Sequence, residues 1–208
     1  MKRLLLILSV MTLLAGSHSQ TFAQKNGKEN KKMREITSII SISNSQKASI
    51  DDALSKKKKK LNSFDGTVKS KEDAFRKYEI ERECHEGIIS QLTDKQIADY
   101  CNVVFAPEVS AKTDYRMSLL KEVDNEYTDE ELVNAWNSIY EYLMLEKIVY
   151  FKYKYDYAKQ KENISRLKAL QPSALKASIN NEKQKGYDKV ISGKVKWNKG
   201  NLYKRKKK

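Results

Sequence analysis

Between Thr128 and Gln171 the chain contains neither glycine nor proline. Those two residues are the strongest local breakers of regular structure, so a stretch this long without them points to helix. Its side chains agree. Leu132, Trp136, Ile139, Leu143, Glu146, Tyr150, Tyr153, Tyr157, Gln160, Ile164 and Leu167 follow a spacing of three and four, and nine of these eleven are apolar or aromatic. The start is marked as well. Thr128 with Glu131 forms a capping box, and Tyr127 with Leu132 occupies the staple positions. Unbroken, the segment makes a helix of up to about 60 Å at 1.5 Å per residue. Tyr153-Lys154-Tyr155-Asp156-Tyr157 alternates with period two and carries strand-forming rings, so a kink or strand within 148–158 is the alternative. The helical stripe continues on both sides, and helix is the expectation.

The same spacing recurs upstream. Met33, Ile36, Ile40, Ser43, Lys47, Ile50, Leu54, Lys57, Leu61 and Phe64 form a narrower stripe, with seven of ten apolar. Its polar positions at Ser43 and Lys47 allow a break near Ser41 to Gln46, and Asp65-Gly66 supplies turn chemistry at its end. Ser70 opens the next helix, with Asp73 placed to return a capping interaction and Ala74, Phe75, Tyr78, Ile80, Cys84 and Ile88 on its apolar side. Thr93 with Gln96 makes a second capping box, flanked by the staple pair Leu92 and Ile97, and Pro107 follows this short helix. A fourth helix is expected over about Lys112 to Val123, and Pro172-Ser173 start a last one reaching roughly Lys185. The expected fold is therefore all-α: an elongated bundle of five or six helices in hairpins, two of them long. A helical domain over 33–185 follows a polar leader over 24–32, and a basic, disordered tail covers 186–208.

The first 23 residues read as a signal peptide. Lys2 and Arg3 precede the apolar run Leu4 to Ala15, and Thr21-Phe22-Ala23 places small residues where a signal peptidase reads them. The run is too short for a spanning helix, which needs about 20 apolar residues. Cleavage after Ala23 leaves a soluble chain of 185 residues in the periplasm or outside the cell. Losing Lys2 and Arg3 lowers the formal charge from +14 to +12. Such a charge favours anionic partners and disfavours self-association. Export makes nucleic acid a poor candidate and favours lipid headgroups, acidic polysaccharides or unfolded chains.

Cys84 and Cys101 are the only cysteines. They lie nine residues before and eight after Thr93, so a chain reversal near Ile89 to Thr93 would face them across a helical hairpin. In an exported protein that predicts a disulfide. A metal site on Cys84, His85 and Cys101 is the rival reading; it lacks a further ligand, and the mature chain has no second histidine. No cofactor and no metal are implied. Catalysis finds no support: His85 stands beside the cysteine, no glycine-rich phosphate loop or serine elbow occurs, and Asp129, Glu130 and Glu131 sit in a first helical turn where they complement the dipole.

Binding chemistry is better represented. Tyr140, Tyr142, Tyr150, Tyr153, Tyr155 and Tyr157, with Phe151, exceed what one helix face can bury, so some rings stay at a surface. Tyrosine interleaved with lysine suits peptide, sugar or lipid contact, and Tyr150, Tyr153, Tyr157 and Trp136 are the candidate binding residues. The lysine runs 56–60 and 204–208 can meet anionic surfaces, although only part of the first can line one helix face.

Leu92-Thr93-Asp94-Lys95-Gln96 resembles the Leu-Thr-x-x-Gln pattern of the Spy and CpxP family of periplasmic proteins, which typically carries the pattern twice. Tyr127-Thr128-Asp129-Glu130-Glu131 is read as a degenerate second copy. The resemblance implies a small exported helical protein, a homodimeric cradle, and holding of unfolded polypeptides without ATP. The expected role is thus non-catalytic binding of polypeptide clients or an envelope partner protein. The alternative is a structural or adhesion protein held by its basic tail to anionic polymers or lipid headgroups.

Overall fold

A computed structural model describes residues 30–63, 70–123 and 127–191, the last five without their side chains. Among the described residues there are eight helices and no strand: α1 Lys31–Ile39, α2 Asn44–Asn62, α3 Lys71–Ile89, α4 Asp94–Val104, α5 Ala106–Lys121, α6 Asp129–Lys152, α7 Tyr157–Lys168 and α8 Ser173–Ile191. None of these helices is long and apolar enough to cross a membrane. The all-α expectation holds, with more and shorter helices than the sequence predicts. The signal peptide, the Asp65-Gly66 turn and most of the basic tail lie outside the described residues. The final helix runs on to Ile191, past the predicted end at Lys185.

Three sequence boundaries move, each for a local reason. The first stripe divides at Ile40, whose backbone is extended (φ −128°, ψ 145°), before Ser43 caps α2. The run Ile39-Ile40-Ser41-Ile42-Ser43 is β-branched residues and serines, which gain least from helix. Pro107 does not merely follow α4. It sits in the first turn of α5, where its missing N–H costs nothing. The long segment bends. α6 stops at Lys152, and Asp156 starts α7 by accepting from Lys159 N at 3.0 Å. The carbonyl of Tyr153 accepts from Asp156 N at 3.0 Å across the elbow and from Gln160 Nε2 at 2.8 Å. The expected 60 Å rod is an α6 of about 36 Å at 1.5 Å per residue with an elbow over 153–156.

Two apolar cores result. Met33, Ile36, Ile40, Ile50, Leu54, Cys84, Ile97, Tyr100 and Cys101 form one, from α1 to α4. Val109, Met117, Leu120, Ile139, Leu143 and Leu175 belong to the other, from α5, α6 and α8. Ile148 of α6 and Phe105, between α4 and α5, pack against both. α3 lies along α2, with Gly87 admitting Ala53: a Cβ built on Gly87 would stand 3.3 Å from Ala53 Cβ. α4 packs on α6, α1 and α5 instead of lying back along α3.

That arrangement overturns the disulfide. Cys84 and Cys101 are separate, buried thiols. The cross-link presupposes α3 and α4 as a hairpin, whereas each pairs with a different helix. Burial pushes both thiols up, Cys101 to about 12. The expected apolar side of α3 holds only towards its end. Cys84 is buried and Ile88 packs against the same core, while Phe75 is 64% and Tyr78 44% exposed.

Candidate functional site

Two glutamines join the starts of α2 and α4. Within each helix the capping box is complete: Ser43 N donates to Gln46 Oε1 (2.8 Å) and Gln46 N to Ser43 Oγ (3.2 Å), while Thr93 N donates to Gln96 Oε1 (2.9 Å) and Gln96 N to Thr93 Oγ1 (3.2 Å). The amide ends then cross. Gln46 Nε2 donates to Gln91 O at 2.6 Å, and Gln96 Nε2 to Ser41 O at 2.7 Å. Each acceptor stands two residues before the other helix's cap. The two amides also meet, Gln46 Nε2 to Gln96 Oε1 at 3.0 Å. The clasp is therefore locally two-fold.

The two clasping segments also run parallel in sequence. Ile42-Ser43-Asn44-Ser45-Gln46 repeats Leu92-Thr93-Asp94-Lys95-Gln96 as aliphatic, hydroxyl cap, two free positions and glutamine. The Tyr127–Glu131 segment is a true capping box, with Thr128 N donating to Glu131 Oε2 at 2.8 Å, and the Thr128 backbone and hydroxyl hold the Glu131 carboxyl below its usual range. A carboxylate can accept in this way, but it has no N–H with which to reach a second loop. Glu131 caps without clasping. The signal for this parallel was the Ser-x-x-Gln after Ile42, at the point where the sequence already allowed a break in the stripe.

Beside the clasp lies an open cleft of about 900 Å³. Its apolar wall includes Ile36, Leu54, Leu61, Ile88, Leu92 and Phe105, with Cys84 at its side. An aromatic train closes one end. Phe151 stacks on Tyr100 (5.3 Å between ring centres), meets Phe105 edge-on (5.9 Å) and His85 edge-on (5.4 Å); His85 in turn meets Tyr155 (5.4 Å), and Tyr155 meets Tyr78 (5.2 Å). The elbow exists for this packing: leaving the helix at Tyr153 puts Tyr155 against α3.

The polar groups among these rings are already engaged. His85 Nε2 is 2.8 Å from Phe151 O, and burial holds its pKa below the ordinary histidine value. Tyr100 Oη joins Lys32 Nζ (2.6 Å) and the Glu35 carboxylate. Burial opposes charge on both Lys32 and Glu35, yet their contacts with each other and Tyr100 outweigh it, raising the lysine and lowering the carboxyl.

The rim is cationic. Lys32, Lys57, Lys58, Lys147 and Lys154 line the cleft, against Glu81 as the one carboxylate among its described lining residues. Lys147 pairs with Glu108 at 2.5 Å and Lys154 lies over the Tyr155 ring. In the lysine run, Lys56 pairs with Asp52 and Lys60 with Glu83. Lys57 and Lys58, between them, have no ion-pair partner among the described residues.

Of the expected binding residues, Tyr150 reaches the cleft wall and is half exposed. Tyr153 ends α6, and Tyr157 opens α7 at 77% exposure. The elbow therefore takes these three rings off a single stripe. Trp136 belongs elsewhere: it packs on the second core, stacks on Tyr140 (5.0 Å) and donates Nε1–H to Asp114 Oδ1 at 2.8 Å. Tyr142 is a core residue. Sequence reasoning missed Phe151, Tyr155 and His85 as one cluster, and the share of the lysine run that the cleft takes.

Compared with known proteins, the chain matches no family model, no curated protein and no solved structure.

Proposed function

We propose that this is an exported, non-catalytic binding protein that holds unfolded or partner polypeptides without ATP, in the manner implied by its resemblance to the Spy and CpxP family. The clasp supports the resemblance, because it supplies a second motif copy with the glutamine intact. The observation that carries the reading is the aromatic surface at the elbow. Phe75 and Tyr157 are well exposed, Tyr78 and Tyr150 are half exposed, and Tyr155 ties α3 to the elbow through its edge contact with Tyr78. Exposed rings among lysines give a client apolar area at low entropic cost, while the cationic surface draws in acidic chains. The protein acts in the periplasm or outside the cell, after removal of residues 1–23.

The test is aggregation of a chemically unfolded client, followed by light scattering. Equimolar protein should slow it. Phe75→Ser with Tyr157→Ser, both outside the core, should remove most of the protection while circular dichroism stays unchanged. Deleting Gly200 to Lys208 should leave it in place. A lack of protection even at large molar excess ends this reading. Loss of function on tail deletion alone favours attachment to an anionic envelope polymer.

A further inference from the structure

We infer that the cleft between α1, α2, α3 and the end of α6 is a binding site for one molecule of a free long-chain fatty acid, with its carboxylate at Lys57 and Lys58. This goes beyond the polypeptide holding proposed above, whose two tested rings, Phe75 and Tyr157, are not part of the cleft lining. Three observations select the ligand. The first is size. About 900 Å³ lies within the range of about 300–1,000 Å³ for small-ligand sites. Allowing about 30 Å³ for each heavy atom, the share of a water molecule in the liquid, a fatty acid of about 16–18 carbons fits with room to move. A two-chain lipid of about 45–50 heavy atoms, by the same allowance, overfills the space.

The second is that the hydrogen-bonding side chains at the aromatic end of the cleft are already engaged, which leaves Asn30, Asn62, Glu81 and the lysines as the polar groups of the remaining lining. A peptide brings an N–H and a C=O at every residue, and each needs a partner once buried. In the aromatic end of the cleft, His85 Nε2 is taken by Phe151 O, and Tyr100 Oη by Lys32 and Glu35. An acyl chain needs no hydrogen bonds and asks only for apolar contact with residues such as Leu54, Ile88, Leu92 and Phe105.

Charge is the third. Lys32 and Lys147 already have carboxylate partners, whereas Lys57 and Lys58 have none among the described residues and stand on the same wall as Leu54 and Leu61. Two unpaired ammonium groups at the edge of an apolar cleft ask for an anion on an apolar stem. They do not ask for a neutral or cationic one.

Delipidated protein, titrated with oleate against a bound fluorescent fatty acid, should take up one oleate per chain. Oleyl alcohol should bind more weakly, and oleylamine weakest. Lys57→Glu with Lys58→Glu should weaken oleate by at least about tenfold and strengthen oleylamine, whereas Ile88→Trp, which fills the cleft, should weaken all three. Circular dichroism reports whether each variant keeps its helices, and Ile88→Trp carries the test if the charge reversal does not. The inference is overturned if the folded protein takes up no oleate or binds oleylamine as tightly. Oleate binding that survives both sets of substitutions also overturns it. So does binding confined to phosphatidylglycerol vesicles, or displacement of oleate by an equimolar acidic, apolar peptide, which would make the cleft a peptide groove. Since Phe75→Ser with Tyr157→Ser leaves the cleft intact, that variant should bind oleate normally even as it loses client protection.

Discussion

Gln96→Glu separates the two jobs of the clasp. The new carboxylate can still accept from Thr93 N, as Glu131 does from Thr128 N, so the cap on α4 survives. The donors disappear. Gln96 Nε2 gives one short hydrogen bond to Ser41 O (2.7 Å) and a longer one to Gln46 Oε1 (3.3 Å). A typical hydrogen bond contributes about 0.5–1.5 kcal/mol net, and the exposed setting of the Ser41 contact puts the loss in the lower half. Placing a carboxylate against two acceptor oxygens adds repulsion, while negative charge at the start of α4 returns about 0.3–1 kcal/mol. The net expectation is a loss of about 1 kcal/mol, or about 2–4 °C in Tm for a chain of this size. Urea unfolding followed by circular dichroism measures it. Below about pH 4, where a carboxyl group regains its proton and with it a donor, the deficit should shrink. A double-mutant cycle of Gln46→Ala and Gln96→Ala should give a coupling of at least about 0.5 kcal/mol. If Gln96→Glu unfolds at the wild-type urea concentration, or the two alanine changes simply add, the amides do not clasp and the clasp no longer supports the proposed resemblance.

Thiol counting with Ellman's reagent should find two cysteines in the unfolded, unreduced protein and very slow reaction in the native one, since both thiols are buried and raised. His85 is the sole histidine once residues 1–23 are removed, so its titration is readable by NMR. Burial lowers its folded pKa, so between that value and about 6.5 the unfolded chain binds the extra proton. Its contribution to stability is therefore present above about pH 6.5 and is lost as pH falls through the folded value; His85→Gln should flatten that part of the profile. Gly87→Leu should destabilise by about 1–3 kcal/mol through overpacking, because Ala53 already lies 3.3 Å from where a Cβ would be. Intact mass of protein from its native host should place the N-terminus at Gln24; an intact Met1 would remove the export reading.

The helix starts were legible because capping is local chemistry. Ser70, Thr93 and Thr128 each sit a fixed distance before the N–H they satisfy, and no tertiary contact is needed to recognise them. The elbow was not, for the opposite reason. Tyr153 and Tyr157 keep the spacing of the stripe across the break, so periodicity carries through a point where the backbone leaves the helix. What breaks it is the cap at Asp156 and the seat for Tyr155 on His85 and Tyr78, the second of which lies far away in sequence. The cysteines misled through an assumed hairpin: near-equal offsets from a turn bring two residues together only if the flanking helices pack on each other. The cleft is built from five helices and the elbow, and only the folded arrangement gathers Lys57, Ile88, Tyr100 and Phe151 around one volume.

The sharing of α6 between the two cores has a consequence for how the protein comes apart. Ile148 packs on both clusters and Phe105 does the same from the α4–α5 junction, so neither half can lose its packing without exposing apolar surface of the other. Denaturation of the body should therefore be a single transition, the same by far-ultraviolet circular dichroism and, in a Trp197→Phe variant, by the fluorescence of Trp136. α3 is the less firmly held element: it rests mainly on α2 with Cys84 as its one buried residue, and reaches α6 and the elbow through His85 and Tyr78. Its amides should exchange with solvent deuterium well before those of α6, in an opening that leaves the rest of the molecule folded.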